Sequence, residues 1–143
     1  MQEQIGEQPY DIYKAAGLII QNRKVLATRS KGKHIYVQPG GKLEQGETEF
    51  EALKRELFEE LGITITEDGV EKVGDFYAVA AGSDNKRLKL AAYIIKKWDG
   101  EITPQSEVEE VIELSTQIPE GIEVASILLH DLLPILKARD LID

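Results

Sequence analysis

The sequence predicts a sandwich of helices and strands, of the α/β or α+β class. Short apolar runs typical of strands surround one strongly patterned helix, and a second helical pattern closes the chain. The chain has 143 residues, which is the size of one ordinary domain. Its content of 42% hydrophobic and 30% charged residues is close to the average for globular proteins. We therefore expect a single domain over residues 12–143, preceded by a flexible leader over residues 1–11.

Apolar runs of strand length occur in both halves of the chain. The predicted strands, each bounded by turn-forming residues, are 15–20, 25–28, 34–37, 70–79, 88–98 and 108–114. The first two runs are joined by a short polar segment and predict a β-hairpin. Turns are expected at residues 38–41, where a proline and two glycines oppose a strand ladder, and at residues 82–85.

The clearest helix prediction covers residues 48–61. Thr48 and Glu51 have the spacing of a capping box, and Gly62 stands where a left-handed residue ends a helix. The apolar residues at helical spacing, which we expect to face the core, are Phe50, Leu53, Leu57 and Leu61. A second helix is expected over residues 122–136, with Pro134 bending or ending it.

Charge and composition exclude several classes of protein. There are 17 Lys+Arg against 26 Asp+Glu, a net charge of −9, so nonspecific binding to nucleic acid or to anionic lipid is unfavourable. The absence of cysteine excludes disulfide scaffolds, thiolate metal sites and thiol nucleophiles, and suits a cytoplasmic protein. No apolar run approaches the roughly 20 residues needed to cross a bilayer, so we expect no membrane association.

The predicted central helix carries three glutamates on one face. Glu56 is three and four residues from Glu59 and Glu60, a spacing that makes their side chains neighbours. Clustered carboxylates repel one another, which raises their pKa values unless a positive charge neutralises them. Arg55 could do so by pairing with Glu59 or with Glu47, and a hard divalent cation such as Mg²⁺ could also do so. The alternative is an acidic, solvated helix surface.

The segment over residues 41–63, which reads GKLEQGETEFEALKRELFEELGI, resembles a complete Nudix box. The positions that carry the resemblance are Gly41, Glu47, Arg55, Glu56, Leu57, Glu59, Glu60, Gly62 and Ile63. A weaker resemblance covers the flanks, including the AAGLII strand, the PGGK segment and the closing helix. The family fold that this resemblance implies is an α/β/α sandwich around a mixed sheet, with the box forming a loop, a helix and a loop.

The resemblance also implies an activity and a set of site residues. Nudix proteins hydrolyse a nucleoside diphosphate linked to another group and use Mg²⁺ or Mn²⁺ as cofactor. The implied metal ligands are Glu56, Glu59, Glu60 and the carbonyl of Gly40. Glu56 or Glu59 is implied as the general base, and Arg55 is expected to orient a carboxylate. Structural roles are implied for Glu47, which braces the loop through Arg55, and for Gly62.

Further candidates lie near the box or outside it. Some relatives recruit another glutamate after the last long strand, and Glu107 is the best match, with Glu109 and Glu110 as alternatives. Arg29 and Lys42 are expected to contact substrate phosphate. Each of these residues has the alternative interpretation of an exposed surface charge. The Pro39-Gly40-Gly41 segment is expected to bring bare backbone up to the carboxylate face, and Gly41 is a candidate for a structural and a substrate-binding role.

The resemblance favours a MutT-like nucleoside triphosphatase that releases a nucleoside monophosphate and pyrophosphate. The alternatives are a pyrophosphatase for ADP-ribose, nucleotide sugars or dinucleotides, and a non-catalytic nucleotide-binding module. A homodimer is compatible with the resemblance. Aromatic residues that could stack on a base, although a place in the core or sheet is favoured for each, are Tyr36, Phe76, Tyr77 and Tyr93. The sequence leaves the nucleobase open.

Overall fold

The computed structural model describes residues 7–79 and 85–143. Its strands are β1 (Ile12–Gln21), β2 (Lys24–Ser30), β3 (Ile35–Tyr36), β4 (Gly40–Lys42), β5 (Val70–Val79), β6 (Arg87–Ile95), β7 (Val108–Leu114) and β8 (Glu123–Val124). Its helical elements are α1 (Glu49–Leu61), a 3₁₀ turn (Glu67–Gly69), a π turn (Leu128–Leu132) and α2 (Leu133–Ala138). All six predicted strands and both predicted helices are present, with changes at their ends.

The main sheet has the strand order β5-β6-β1-β2-β7, with β4 paired to β1 as a sixth strand. Strands β1 and β6 run parallel, from Ile12 opposite Leu88 to Ile19 opposite Ile95. The other pairs in this sheet are antiparallel, so the sheet is mixed. Strands β3 and β8 form a separate parallel pair.

Helices cover both faces of the sheet. Because side chains alternate along a strand, β1 sends Ile19 to one face and Leu18 to the other. The first face packs against the fully buried residues of α1, which are Ala52, Leu53, Leu57 and Leu61. The second face packs against Leu128, Leu132, Leu133 and Leu136 near the C-terminus. This arrangement is the predicted α/β/α sandwich with a mixed sheet, and the prediction is confirmed.

Strands β1 and β2 separate along their length. They pair only near the hairpin, where Ile20 lies opposite Val25. The first half of β1, over residues 14–16, pairs instead with β4. Strand β4 is thus inserted beside β1 at the point where the hairpin opens, and this insertion forms one wall of the site described below.

The predicted turn over residues 38–41 is wrong, because Gly40 and Gly41 belong to strand β4. A Cβ atom on Gly40 would lie 2.1 Å from the carbonyl oxygen of Ala15, and Gly40 has φ 141°. The Pro39 carbonyl joins the pairing by accepting a hydrogen bond of 2.8 Å from the Gly17 N–H. Gly40 therefore allows a close strand pairing that a side chain would prevent.

Helix α1 begins and ends as predicted. The Thr48 hydroxyl accepts a hydrogen bond from the Glu51 N–H, and the Glu51 carboxylate accepts one from the Thr48 N–H. Gly62 ends the helix in the left-handed conformation, with φ 72°. Of the predicted apolar stripe, only Phe50 is partly exposed.

The C-terminal helix differs from the prediction of residues 122–136. Helical structure begins at Ser126 and ends at Ala138, and Glu123–Val124 forms strand β8. Pro134 lies inside the helix, directly after the π turn, where the Leu133 N–H donates to the Leu128 carbonyl. Proline supplies no N–H, so an irregular turn next to it is the expected accommodation.

Residues 7–11 of the predicted leader contact the sheet. Glu7 pairs with Lys89 at 3.2 Å, and Asp11 pairs with Arg87 at 3.2 Å. The Tyr10 ring packs edge-on against Tyr13, with 5.3 Å between ring centroids. Residues 1–6, and residues 82–84 of a predicted turn, lie outside the described part of the chain. None of the described helices has the length and apolarity to cross a membrane.

Candidate functional site

The acidic face of helix α1 lies directly against strand β4. The Gly40 N–H donates a hydrogen bond of 3.0 Å to Oε1 of Glu60. The Glu56 carboxylate covers Gly41, where an added Cβ atom would lie 2.4 Å from Glu56 Cδ. Gly41 therefore lets the strand backbone approach Glu56, and the neighbouring Gly40 N–H binds Glu60.

The environment of Glu60 raises its pKa to about 8. Burial of the carboxyl is the largest cause, and the negative charge of Glu56 adds to it. The hydrogen bond from Gly40 and the positive charge of Lys14 act in the opposite direction. The expectation that clustered carboxylates raise one another's pKa values is thus met at Glu60. This carboxyl group holds a proton near neutral pH.

Arg55 connects the helix to the loop before it. Its Nε donates to Glu47 Oε2 at 2.8 Å, and its Nη1 donates to Glu56 Oε1 at 2.8 Å. Its Nη2 also donates to the Lys42 carbonyl at 3.0 Å. The guanidinium and the Glu44 N–H lower the pKa of Glu47 to about 2. Arg55 therefore holds the loop against the helix and fixes one oxygen of Glu56.

The third predicted metal ligand, Glu59, is half exposed and lies 3.6 Å from Arg55 Nη1. Among residues 7–79 and 85–143, no three carboxylate or imidazole side chains stand assembled as a cation site. The candidate metal ligands at this face are nevertheless all oxygen atoms, from carboxylates and a backbone carbonyl, and hard divalent cations prefer oxygen ligands. A cation would also relieve the carboxylate repulsion that helps to raise the pKa of Glu60. The residues present therefore fit such an ion.

A cavity of about 450 Å³ opens beside β4, within the size range of small-molecule sites. Its apolar lining includes Ala16, Leu88, Leu90 and Ile127. Its polar lining includes Lys14, Ser30, Lys33, Gln38, Lys42 and Ser126. Gln38 Oε1 is buried and has no hydrogen-bond partner among the described residues. The cavity thus has an apolar part and a positively charged part next to the acidic helix.

Lys14 and Gln38 are site residues that the sequence reasoning missed. Lys14 is partly buried on β1 and lies opposite Lys42 in the β1–β4 register. Burial, and then the charge of Lys42, lower the pKa of Lys14. A signal was available, because a lysine directly before the apolar run AAGLII is unusual on a strand that is covered on both faces.

Arg29 lies beside a different cavity, of about 590 Å³, whose lining includes Tyr36. Its guanidinium contacts Glu110 at 3.2 Å and Glu109 at 3.4 Å. The Tyr36 hydroxyl donates to Glu110 as well. Arg29 therefore pairs with Glu109 and Glu110, two of the three acidic residues considered after the last long strand. The contact of Arg29 with substrate phosphate stays a prediction.

The loop that leads to Glu107 is docked on the last turn of α1. The Gln105 N–H donates to the Glu60 carbonyl at 2.9 Å. The Gln105 side chain lies over Gly62, whose left-handed φ of 72° favours glycine at this position. Glu107 follows two residues later and is exposed. Its catalytic role stays a prediction.

Three comparisons relate this site to known proteins. The 8-oxo-dGTP diphosphatase of Buchnera aphidicola is 37% identical over 83 residues, which span 57% of this chain and 63% of that protein. The 8-oxo-dGTP diphosphatase of Proteus vulgaris is 33% identical over 97 residues, 64% of this chain and 82% of that protein. The E. coli ORF135 protein has a similar structure, with TM-score 0.65, 25% identity and coverage of 90% and 88% of the two chains.

The family description "NUDIX domain" matches residues 12–126, from the first residue of β1 to the start of the C-terminal helix. The matched part includes the glycines of β4, the Arg55 contacts and the acidic face of α1. The chain therefore belongs to the NUDIX domain family.

Proposed function

We propose that the protein is a metal-dependent hydrolase that converts a nucleoside triphosphate to a nucleoside monophosphate and pyrophosphate. The observation that carries this proposal is that Gly40 and Gly41, which contact Glu60 and Glu56 of the acidic helix face, also line a small-molecule cavity. Both the Buchnera and the Proteus relatives are named 8-oxo-dGTP diphosphatase, so an oxidised purine nucleotide is the favoured substrate.

Glu56, Glu59 and Glu60 are the residues that would hold Mg²⁺ or Mn²⁺, with the Gly40 carbonyl as a further ligand. The chemistry that such an ion supplies when bound is neutralisation of phosphoryl charge and a more acidic water molecule. Ligating carboxylates are deprotonated, so Glu60 releases its proton when it becomes a ligand. Metal affinity should therefore increase with pH up to about 8, the pKa of Glu60 in the free protein.

The remaining steps belong to side chains of this chain. A water molecule attacks the α- or β-phosphorus and its proton passes to a carboxylate. The bond from that phosphorus to the α–β bridging oxygen breaks, and the oxygen leaves with the other phosphate. Glu56 and Glu59 are the candidate bases. Arg55 orients Glu56 through the 2.8 Å hydrogen bond to Oε1 and does not itself need to reach the substrate.

The test is a substrate panel with Mg²⁺ that includes dNTPs, 8-oxo-dGTP, ADP-ribose and dinucleoside polyphosphates. We expect the highest kcat/KM for 8-oxo-dGTP. Glu56→Gln and Glu60→Gln should each lower kcat by a factor of about 100 or more, the usual contribution of a general base or a metal ligand. Glu120→Gln, at an exposed site without side-chain contacts among the described residues, is the matched control. Full activity in both folded site variants would contradict the assigned roles.

Two expectations accompany this proposal. A cytoplasmic location agrees with the absence of cysteine, and a homodimer is compatible with the family resemblance. Both stay predictions.

A further inference from the structure

We propose that Lys14 binds the phosphate groups of the substrate and that it forms, together with Lys42, a two-lysine clamp at the charged part of the cavity. This inference rests on the proposed function in taking a nucleotide as the ligand. The residues of the Nudix box do not include Lys14, which lies on β1, 28 positions before Lys42.

The first support is the strand register. Lys14 and Lys42 are directly opposite each other in the antiparallel pair of β1 and β4. Side chains at opposite positions point to the same face and lie about 5 Å apart at Cβ, and like charges there destabilise the pair. Both lysines line the same cavity. An anion between them would turn this repulsion into attraction.

The second support is the partial burial of Lys14 without an ion pair among the described residues. Glu60 and Glu56 act on it electrostatically, but their effect is smaller than that of burial and of the Lys42 charge, so the pKa of Lys14 is lowered. Lys89, which is buried, illustrates the usual arrangement, because it pairs with Glu7 at 3.2 Å. Within residues 7–79 and 85–143, Lys14 makes no ion pair. Removing an ammonium group from water is costly unless an opposite charge replaces the solvent. A ligand anion would supply that charge.

The third support is the position of the clamp between the two parts of the site. The charges of Glu60 and Glu56 act on Lys14, and these carboxylates lie against Gly40 and Gly41, which line the cavity together with both lysines. The cavity continues from the lysines to apolar residues such as Leu88 and Leu90. A nucleotide with its phosphates at the lysines would place them next to the acidic helix and leave the apolar part to the nucleoside. A nucleoside polyphosphate therefore fits the sequence of acidic helix, lysine pair and apolar cavity lining.

The experiment measures calorimetric binding of inorganic tripolyphosphate to the full chain in EDTA at low salt. Lys14→Met should weaken binding about 10-fold, which is the loss of one charge-assisted contact. Lys14→Arg keeps the charge and should bind within about threefold of the wild type. Lys54→Met removes an exposed lysine from α1, outside the cavity lining, and should leave binding unchanged.

Two further readouts separate ligand binding from a structural role. Lys14→Met should unfold in urea at the same concentration as the wild type or at a higher one, because it removes a repulsive, buried charge. With 8-oxo-dGTP and Mg²⁺ it should raise KM more than it lowers kcat. A folded Lys14→Met that binds tripolyphosphate within about twofold of the wild type would overturn the proposal, and so would a large loss of stability in both Lys14 variants.

The outcome also separates this inference from the proposed function. If tripolyphosphate binding depends on Lys14 but no nucleotide is hydrolysed, the hydrolase proposal is wrong and the lysine clamp is supported. If nucleotides are hydrolysed and Lys14→Met matches the wild type in binding and in KM, the clamp is wrong and the hydrolase proposal stands.

Discussion

The two sides of strand β4 differ in how their charges are balanced. On the side of the box loop, Arg55 contacts Glu47 and Glu56 at 2.8 Å each and the Lys42 carbonyl at 3.0 Å. On the cavity side, Lys14 makes no ion pair with any residue that the structure describes. Gln38 Oε1 likewise accepts no hydrogen bond from these residues. Also on that side, Glu60 accepts a hydrogen bond from the Gly40 N–H and has a raised pKa.

This difference distinguishes charged groups that stabilise the fold from polar and charged groups that a bound ligand would pair. The Arg55 group is already satisfied within the protein, so its removal should damage the structure. The cavity side leaves an ammonium, an amide oxygen and a carboxyl in environments that an ion or a phosphate would improve. Their removal should damage binding or catalysis while it leaves the fold intact.

The largest expected contrast is between Gly40→Ala and Gly41→Ala. At Gly40 a Cβ atom would lie 2.1 Å from backbone at Ala15, and φ is 141°, so we expect a loss of about 4 kcal/mol or more in the free energy of unfolding. At Gly41 the Cβ atom meets only the Glu56 carboxylate, at 2.4 Å, and a side chain can shift where the Ala15 backbone cannot. Gly41→Ala should fold, and its kcat should fall about 100-fold because the carboxylate is displaced. Urea denaturation and steady-state hydrolysis measure the two effects. Equal destabilisation by both changes would contradict the comparison.

The two sides should also respond to pH in opposite directions. The pKa of Glu60 is raised to about 8 from its ordinary 4.5, so its contribution to stability is complete below pH 4.5 and is lost as the pH rises toward 8. The pKa of Glu47 is lowered to about 2, so its contribution is complete above pH 4.5 and is lost in acid.

Urea denaturation of the metal-free protein should show this opposition. Between pH 4.5 and 8, Glu60 alone gives a decrease in the free energy of unfolding of up to about 1.4 kcal/mol per pH unit. Glu60→Gln should flatten that slope, whereas Glu47→Gln should change only the acid side. A slope above pH 4.5 that Glu60→Gln leaves unchanged would show that another group titrates there.

A smaller effect is expected from Arg55→Met. The change removes the hydrogen bonds that join the loop to the helix, so the midpoint of thermal unfolding should fall by several degrees. The matched control is Arg139→Met, which removes a more exposed ion pair with Glu71 at 3.6 Å. Such surface pairs contribute little, and the control should unfold like the wild type. Differential scanning calorimetry compares the two variants, and equal midpoints would contradict the structural role of Arg55.

The smallest effect is expected from Gln38→Leu. Because the buried Oε1 has no hydrogen-bond partner among residues 7–79 and 85–143, its removal should not lower the free energy of unfolding. Loss of a polar contact to the nucleotide should weaken binding about 3-fold to 10-fold. Calorimetry with a nonhydrolysable nucleotide measures the affinity, and Gln117→Leu at an exposed site is the control. A marked loss of stability in Gln38→Leu alone would indicate a structural role.

Local sequence signals predicted the elements that depend on local physics. The capping box at Thr48 and the left-handed Gly62 follow from hydrogen bonds and sterics within a few residues, and both predictions are confirmed. Strand β4 was not predicted, because its glycines serve a pairing with Ala15 that is distant in sequence.

The site was predictable where it coincides with the box and was missed where β1 contributes to it. Lys14 joins the site only through its register with Lys42. The Arg29 contacts with Glu109 and Glu110 likewise depend on the pairing of β2 with β7, which the sequence alone does not specify.

The parallel pairing of β1 with β6 has a consequence for how the chain folds. Ile12 at the start of β1 meets Leu88, so β1 is synthesised long before its partner strand. Until β6 arrives, Leu18 and Ile19, which are both fully buried in the folded protein, lack much of their cover. Parallel pairing across such a distance is slow because a long loop must close first. Newly made chains should thus depend on protection from aggregation during this interval, more than the stability of the finished fold would indicate.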